Sequence, residues 1–316
     1  MADNSMNRRW FLKKGAALTA AASAGVALGF RRTPEGLYRP PKPKAPQFSL
    51  AHLTVLGCAP PEMTYIAGRA GYDFVSYRII LLGIANEPNY ALAENKAMLK
   101  QTRTALAETS LKVNDIEVAR VADGVDPKSY LPALETGAEL GARHVIVSVW
   151  TAERSRAVDG IAELCDLAKP FGLTIDLEFV TWANIANLQE AIAVRRAANR
   201  KNCGLLVDTL HFNRSRVRLE ELDAVPREWF HFAHVCDGPR EIPATADGLV
   251  HTAREERLYP GEGAIDIAAI VNRLPEIPYS LEIPHLARVK ELGYAEHAYR
   301  CLERAKKYFP AHPRSS

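Results

Sequence analysis

From about residue 50 onward, short unbroken apolar runs alternate with longer stretches whose apolar residues recur every three or four positions. A strand buried on both faces of a parallel sheet shows such a continuous run, whereas a three-to-four spacing marks one face of a helix. The runs predict eight strands: Leu53 to Leu56, Tyr72 to Ser76, Val113 to Val118, His144 to Val149, Leu173 to Leu177, Leu205 to Val207, Phe230 to Val235 and Tyr279 to Ile283. A first helix starts near Pro61. Others are predicted over Ala91 to Glu108, Pro127 to Leu140, Arg154 to Ala168, Ile185 to Asn199, Ile265 to Leu274 and Tyr294 to Tyr308, with a helical turn near Leu219 to Leu222 and a long loop before Ile265. Eight strands alternating with helices is the count of a closed (β/α)8 barrel; a doubly wound open sheet is the alternative that counting alone leaves standing. No GxGxxG follows the first predicted strand and no GxxxxGK[ST] occurs anywhere, so the loops that cradle nucleotide phosphates are absent.

The first thirty residues are of a different kind. Arg8-Arg9-Trp10-Phe11-Leu12-Lys13 leads into an Ala- and Gly-rich apolar stretch from Gly15 to Gly29. This resembles a twin-arginine export signal, with Ala22-Ser23-Ala24 as a candidate cleavage site. The apolar stretch is too short to span a bilayer comfortably as a helix. The resemblance implies passage through the twin-arginine export machinery in the folded state and a periplasmic location, with a membrane anchor as the alternative if the signal stays attached. Five prolines between Thr33 and Gln47 then read as an extended linker. The expected organisation is a signal over residues 1–29, a linker over 30–47 and a barrel over 48–316.

Composition sharpens this. Of the 316 residues, 47% are hydrophobic and 24% charged, enough for one large core. The formal charge of +3 belongs to the leader: removing residues 1–24 takes away Arg8, Arg9, Lys13, Lys14 and Asp3, and the remainder is neutral. A neutral mature chain argues against nucleic acid or an anionic membrane as partner. The five cysteines are scattered without CxxC spacing, so neither a disulfide framework nor a thiolate metal site is expected. A homo-oligomer is compatible with everything in the sequence.

Four of the apolar runs deliver a carboxylate or imidazole at or near their C-terminal ends: Glu178, Asp208, His234 and Glu282. Strand C-termini are where α/β barrels carry their chemistry. Any one of these residues has an ordinary structural explanation, a carboxylate capping the next helix or a histidine bonded in the core. Together, on strands five to eight, three carboxylates and one imidazole suit a single divalent cation such as Mn, Mg, Co or Zn.

The residues Asp208-x-x-His211, His234-x-x-Asp237 with Arg240 six residues past the histidine, Pro260-Gly261-Glu262-Gly263 and Ser280-Leu281-Glu282 resemble the pattern of the xylose isomerase-like TIM barrels, the sugar phosphate isomerase/epimerase superfamily. The resemblance spans roughly residues 50–310. It implies that Glu178, Asp208, His234 and Glu282 bind one divalent metal and that His211 and Arg240 contact the substrate. Some epimerases of the family carry a second acid shortly after the first glutamate; here Asn184 stands six residues on.

The chemistry expected is removal of a proton next to a carbonyl through a metal-stabilised enediolate, with Glu178 and Glu282 taking and returning the proton on opposite faces. That describes an isomerase or epimerase of a carbohydrate-like substrate. If a hydroxyl lies β to the carbanion, the same site becomes a dehydratase or lyase on a keto-sugar or keto-cyclitol. A non-catalytic carbohydrate-binding barrel is the third reading. An endonuclease IV-like phosphodiesterase is disfavoured by the neutral charge and the small ligand set. Arg254 and Arg257, ahead of the Pro260 loop, read either as binders of an anionic or polyhydroxyl substrate or as a solvated charge run. Trp150 and Trp182 read as a wall for a sugar face or as packing, Glu117 and Arg120 as an internal salt bridge, and His285 as a rim group.

Overall fold

The computed structural model describes residues 45–82 and 87–313. The expected signal and the linker as far as residue 44 lie outside the described residues. Eight strands, β1 (Phe48–Leu50), β2 (Phe74–Arg78), β3 (Lys112–Val121), β4 (His144–Val149), β5 (Thr174–Glu178), β6 (Cys203–Asp208), β7 (Ala233–Val235) and β8 (Tyr279–Leu281), pair in sequence order and close into a barrel, β8 pairing with β1. Every pair is parallel. The helices are α1 (Pro60–Ala70), α2 (Lys96–Thr109), α3 (Leu131–Glu139), α4 (Arg154–Ala168), α5 (Leu188–Ala198), α6 (Thr209–Arg214), α7 (Glu220–Asp223), α8 (Ala246–Glu255), α9 (Ile267–Arg273) and α10 (Leu286–Ala311). The (β/α)8 architecture expected from the alternation is the one observed. No helix among the described residues is long and apolar enough to cross a membrane.

The principal core lies between the sheet and the helices, where Leu50, Val75, Val113, Val145, Leu177, Leu205, Val207, Val235 and Leu281 meet α1, α4, α5 and α9. A smaller apolar cluster fills the barrel interior: Val118, Ile146, Leu206 and Phe232. The opposite interior wall is polar. Ser49 and Ser76 hydroxyls lie 2.9 Å apart, and Ser76 donates to Asp115 at 2.5 Å. Burial pushes the Asp115 carboxyl up to about 7.

The first strand corrects the sequence reading. Leu53 to Leu56 was expected as the strand, yet His52–Val55 is a 3₁₀ turn and the strand is Phe48–Leu50. Thr54 explains the misreading: its hydroxyl donates to Leu281 O and accepts from Ile283 N, so this turn stitches to β8 with a side chain where a strand would use its backbone. β3 holds a second irregularity. Its register against β4 shifts between Ile116 and Ala119, so Asp115 and Glu117 face the interior before the shift and Val118 and Arg120 after it. Two short helices went unpredicted. Asp208 ends β6 and caps α6, and Thr245 caps α8 within the expected loop. The last helix begins earlier than Tyr294 because α10 includes a first segment, broken at Gly293 with φ of 75°.

Candidate functional site

The C-terminal ends of β5 to β8 bring Glu178, Asp208, His234 and Glu282 together. Their potential ligand atoms all lie within 4.8 Å of one another, and no residue of the four is more than 8% exposed. Asp208 and His234 are register partners across β6 and β7. Glu178 is level with Leu206, two residues before Asp208, and Glu282 follows Ser280, the register partner of His234, by two. The set therefore climbs around the barrel, as strand tilt dictates.

His234 Nδ1 stands 3.4 Å from Glu282 Oε2, 3.5 Å from Glu178 Oε1 and 3.8 Å from Asp208 Oδ2. Both ring nitrogens are buried without a hydrogen-bond partner among the described residues. A buried imidazole with neither nitrogen satisfied is rare in a folded protein. Two ligands about 2.2 Å from one ion at tetrahedral or octahedral angles are themselves roughly 3.1–3.6 Å apart. The spacing is too long for direct hydrogen bonds and suits a shared cation, so the residues fit a divalent metal.

Electrostatics agree. Burial raises the Glu178 carboxyl even against the pull of His234. Glu282 is also penalised by burial, but His234 and Arg257 hold it well below the usual carboxylate range. For His234, burial favours the neutral ring, yet Glu282 and Glu178 outweigh it and the imidazole is held well above its ordinary value. Without a divalent cation, Arg257 and a proton on His234 are the available counter-charges.

A second grouping makes the contrast clear. His144, Asp176 and His231 gather at the opposite, N-terminal end of the barrel. There His144 Nδ1 meets Thr174 Oγ1 at 2.7 Å, Thr174 donates to Asp176 Oδ2 at 2.6 Å, and His231 Nδ1 meets Asp176 Oδ1 at 2.6 Å. This cluster is satisfied by its own hydrogen bonds.

Around the quartet, each remaining sequence-predicted residue has a definite place. Arg257 was expected to face a substrate from a loop. It is 2% exposed, with Nη1 2.6 Å from Asp208 Oδ2 and Nη2 2.9 Å from Glu282 Oε2. Its Nε donates to Ala253 O, and Nη1 also reaches Glu282 O and Cys236 Sγ. The guanidinium therefore ties two of the four ligands together from behind. His211 is buried, its Nδ1 3.1 Å from Thr181 Oγ1 and its ring edge-on to Trp182. Burial lowers its pKa to about 4, so the ring is neutral at ordinary pH. Arg240 is exposed and makes no hydrogen bond or ion pair with described residues. His285 caps α10.

Asp237, from His234-x-x-Asp237, is a loop clamp. Its carboxylate accepts from Gly238, Gly261, Gly263 and Ile265 N–H groups at 2.8–3.0 Å. The glycines of the Pro260 loop follow from this. Gly261 has φ of 86°, and a Cβ on Gly263 would sit 2.2 Å from Gly238 O. The loop holds Arg257, three residues upstream of Pro260, against the quartet.

Glu117 does not pair with Arg120, as expected, but with Arg78 at 3.2 Å, where β2 and β3 place them in register. Arg120 instead lies 4.8 Å from the Trp150 ring centre. Arg78 escaped the sequence reading although it ends an apolar run in the same manner as the four ligands, because that strand was ended at Ser76. Two surface grooves, one along α2 of about 620 Å³ and one between α1 and α10 of about 560 Å³, are remote from this chemistry.

Comparison with known proteins extends the picture. Residues 66–305 match the family described as xylose isomerase-like TIM barrel. The chain is similar to the inosose isomerase of Bacillus subtilis (strain 168), 28% identical over 184 residues covering 55% of this chain and 64% of that protein. It thus spans less than two thirds of that relative's length. Among solved structures, the fold resembles that of the IolI protein with a bound zinc atom, with TM-score 0.68, 22% identity and coverage of 83% of this chain and 99% of that one. It also resembles D-allulose 3-epimerase from Methylomonas sp. in complex with D-allulose, with TM-score 0.62, 19% identity and coverage of 84% and 98%. The match extends over most of the barrel, and the chain belongs to the xylose isomerase-like TIM barrel family.

Proposed function

We propose that this protein is a divalent-metal-dependent isomerase or epimerase of a carbohydrate-like ketone, moving a proton at the carbon next to the carbonyl. The observation that carries the reading is His234, buried among three carboxylates with both ring nitrogens unpartnered. The similarity to an inosose isomerase and to the fold of a ketose epimerase supports the reaction class. Glu178, Asp208, His234 and Glu282 would hold the metal, and Mn, Mg, Co or Zn suits that donor set. When bound, the ion would withdraw charge from the carbonyl and so acidify the neighbouring C–H.

The chain's own residues do the rest. Glu178 at the end of β5 and Glu282 just past the end of β8 approach the centre from opposite ends of the arc, so one takes the proton and the other returns it on the far face. Neutral His211, steadied by Thr181 and Trp182, donates a hydrogen bond to an oxygen gaining charge. Arg257 keeps Asp208 and Glu282 in place without offering itself to substrate. The test is incubation of metal-loaded protein with ketoses and inososes in D2O. Deuterium at the α-carbon is expected, abolished in Glu178→Gln and Glu282→Gln; loss of water identifies a dehydratase instead, and absence of both exchange and water loss overturns the reading. Export by the twin-arginine route to the periplasm is a further part of the proposal, supported by Arg8-Arg9 and the apolar stretch after it. It predicts that Arg8→Lys with Arg9→Lys retains the protein in the cytoplasm.

A further inference from the structure

We propose that Arg78 and Glu117 form a specificity-determining pair that reads hydroxyls of a polyol substrate, on the strands facing the quartet. The inference rests on the proposed function for where the substrate's carbonyl sits, and adds which of its other groups are recognised.

Strand register places the pair. Inside the barrel, Ser76 of β2 and Ser280 of β8 bring their hydroxyls to 3.5 Å, and Ser76 also meets Ser49 of β1 and Asp115 of β3. Side chains of a strand alternate between its faces, so the residue two positions on points inward again, one level nearer the C-terminal end. That next level is Arg78 on β2, Glu117 on β3 and Glu282 just past β8, while β1 contributes only Ala51. The contact of 3.2 Å between Arg78 and Glu117 bears this out for two of them. The pair and Glu282 therefore belong to one floor, on which a ligand of the quartet rests. The charges of Glu282 and His234 are felt at Glu117, as this placement requires.

The pair is not a closed ion pair. Arg78 and Glu117 are 5% and 1% exposed, within the range of the quartet residues themselves. They meet through one hydrogen bond, Nη2 to Oε2, although a guanidinium fork is shaped to hold a carboxylate by two. Arg78 Nε and Glu117 Oε1 are left buried without a partner among the described residues, the same sign that marks His234. Leaving such groups unpaired is costly. One of these free atoms donates and the other accepts. An ionised carboxylate or phosphate brings acceptors alone and would set an oxygen against Glu117 Oε1, and a C–H satisfies neither. A hydroxyl donates and accepts at once, so it answers both. Water has the same capacity, and the location favours substrate: a ligand whose carbonyl is held at β5 to β8 extends its remaining carbons toward the strands opposite.

The experiment uses the full chain loaded with Mn. The probes are D-fructose, D-allulose and scyllo-inosose, each beside monodeoxy analogues lacking one hydroxyl away from the carbonyl, and binding is read by calorimetric titration. For at least one probe, loss of one such hydroxyl is expected to weaken binding to the wild type at least tenfold. Two variants test whether the pair is responsible. Arg78→Met with Glu117→Met removes both charges together, a change that buried ion pairs commonly tolerate. Arg78→Lys keeps a cation for Glu117 but has no Nε–H. In both, the deoxy effect should fall below threefold with Mn content retained. Should the double variant not fold, Arg78→Lys decides. No deoxy effect in the wild type, an undiminished effect in a folded variant, or no binding of any probe overturns the proposal. Deuterium exchange on the same probes separates the two readings. Exchange without a deoxy effect retains the proton-transfer reading alone; a deoxy effect without exchange retains this one alone.

Discussion

Replacing Arg257 by methionine keeps an unbranched apolar stem and removes the guanidinium that binds both Asp208 and Glu282. Both contacts are short, 2.6 and 2.9 Å, and neither carboxylate side chain is more than 6% exposed. Removing one member of a buried ion pair strands the other, at a cost of about 3–5 kcal/mol. For a domain of this size that is on the order of a 10 °C fall in melting temperature. The fall should be largest with chelator present, since a divalent cation is the other source of positive charge for the same oxygens. Excess Mn at a hundredfold above its dissociation constant adds about 2.7 kcal/mol to any protein that binds it only when folded. In Arg257→Met the gain in melting temperature on adding Mn should therefore exceed the wild-type gain. The assay is thermal unfolding of both proteins in chelator and in Mn. A variant that melts within 2 °C of wild type in chelator would refute the reasoning, as would a deficit that Mn leaves unchanged. Arg257 would then be a substrate group and not a brace.

Three other perturbations probe separate parts of the account. Asp237→Asn places an NH2 group against two of the four N–H donors now bound by the carboxylate, and should cost about 3 kcal/mol in urea unfolding and weaken metal affinity through the Pro260 loop; stability within 0.5 kcal/mol of wild type contradicts the clamp. Metal binding should release about one proton near pH 7, because Glu282 and Glu178 hold the His234 imidazole protonated until a cation replaces that charge; titration in buffers of different ionisation enthalpy counts it, and zero release contradicts the exchange. His52 accepts from Arg78 N at Nδ1 and donates to Cys58 O at Nε2, an arrangement open only to the neutral ring, and burial lowers its pKa to about 4 from 6.5. A depressed histidine pKa contributes stability that is fully present above pH 6.5 and lost as pH falls toward 4, so His52→Gln should be less stable at pH 7.5 and lose less on acidification; identical pH slopes for the two proteins oppose this.

How much was legible in the chain depends on how each residue is held. Glu178, Asp208, His234 and Glu282 were readable because each follows or ends a run such as Leu205-Leu206-Val207, whose continuous apolarity already fixes a strand buried on both faces. β1 was not, because three residues carry too little pattern and the more apolar Leu53-Thr54-Val55-Leu56 lies beside it. The two carboxylates that hold Arg257 lie 49 and 25 residues away from it in the chain, and only barrel closure brings them together. Arg120 was misassigned for a local reason. Strand alternation puts Glu117 and Arg120 on opposite faces, and only the β3 irregularity turns both inward, with Arg78 of β2 then taking the glutamate. Asp237 was quoted as part of a motif, but its task, holding the Pro260 loop, needed the folded loop to be seen.

The central claim is that four strand-end side chains share one divalent ion, and anomalous diffraction from a crystal of the Mn-loaded protein tests it most directly. The account predicts a single strong peak about 2.0–2.5 Å from oxygens of Glu178, Asp208 and Glu282 and from one ring nitrogen of His234. A peak only at His144, Asp176 and His231, or none within the quartet while Arg257 remains bound to Asp208 and Glu282, would contradict it.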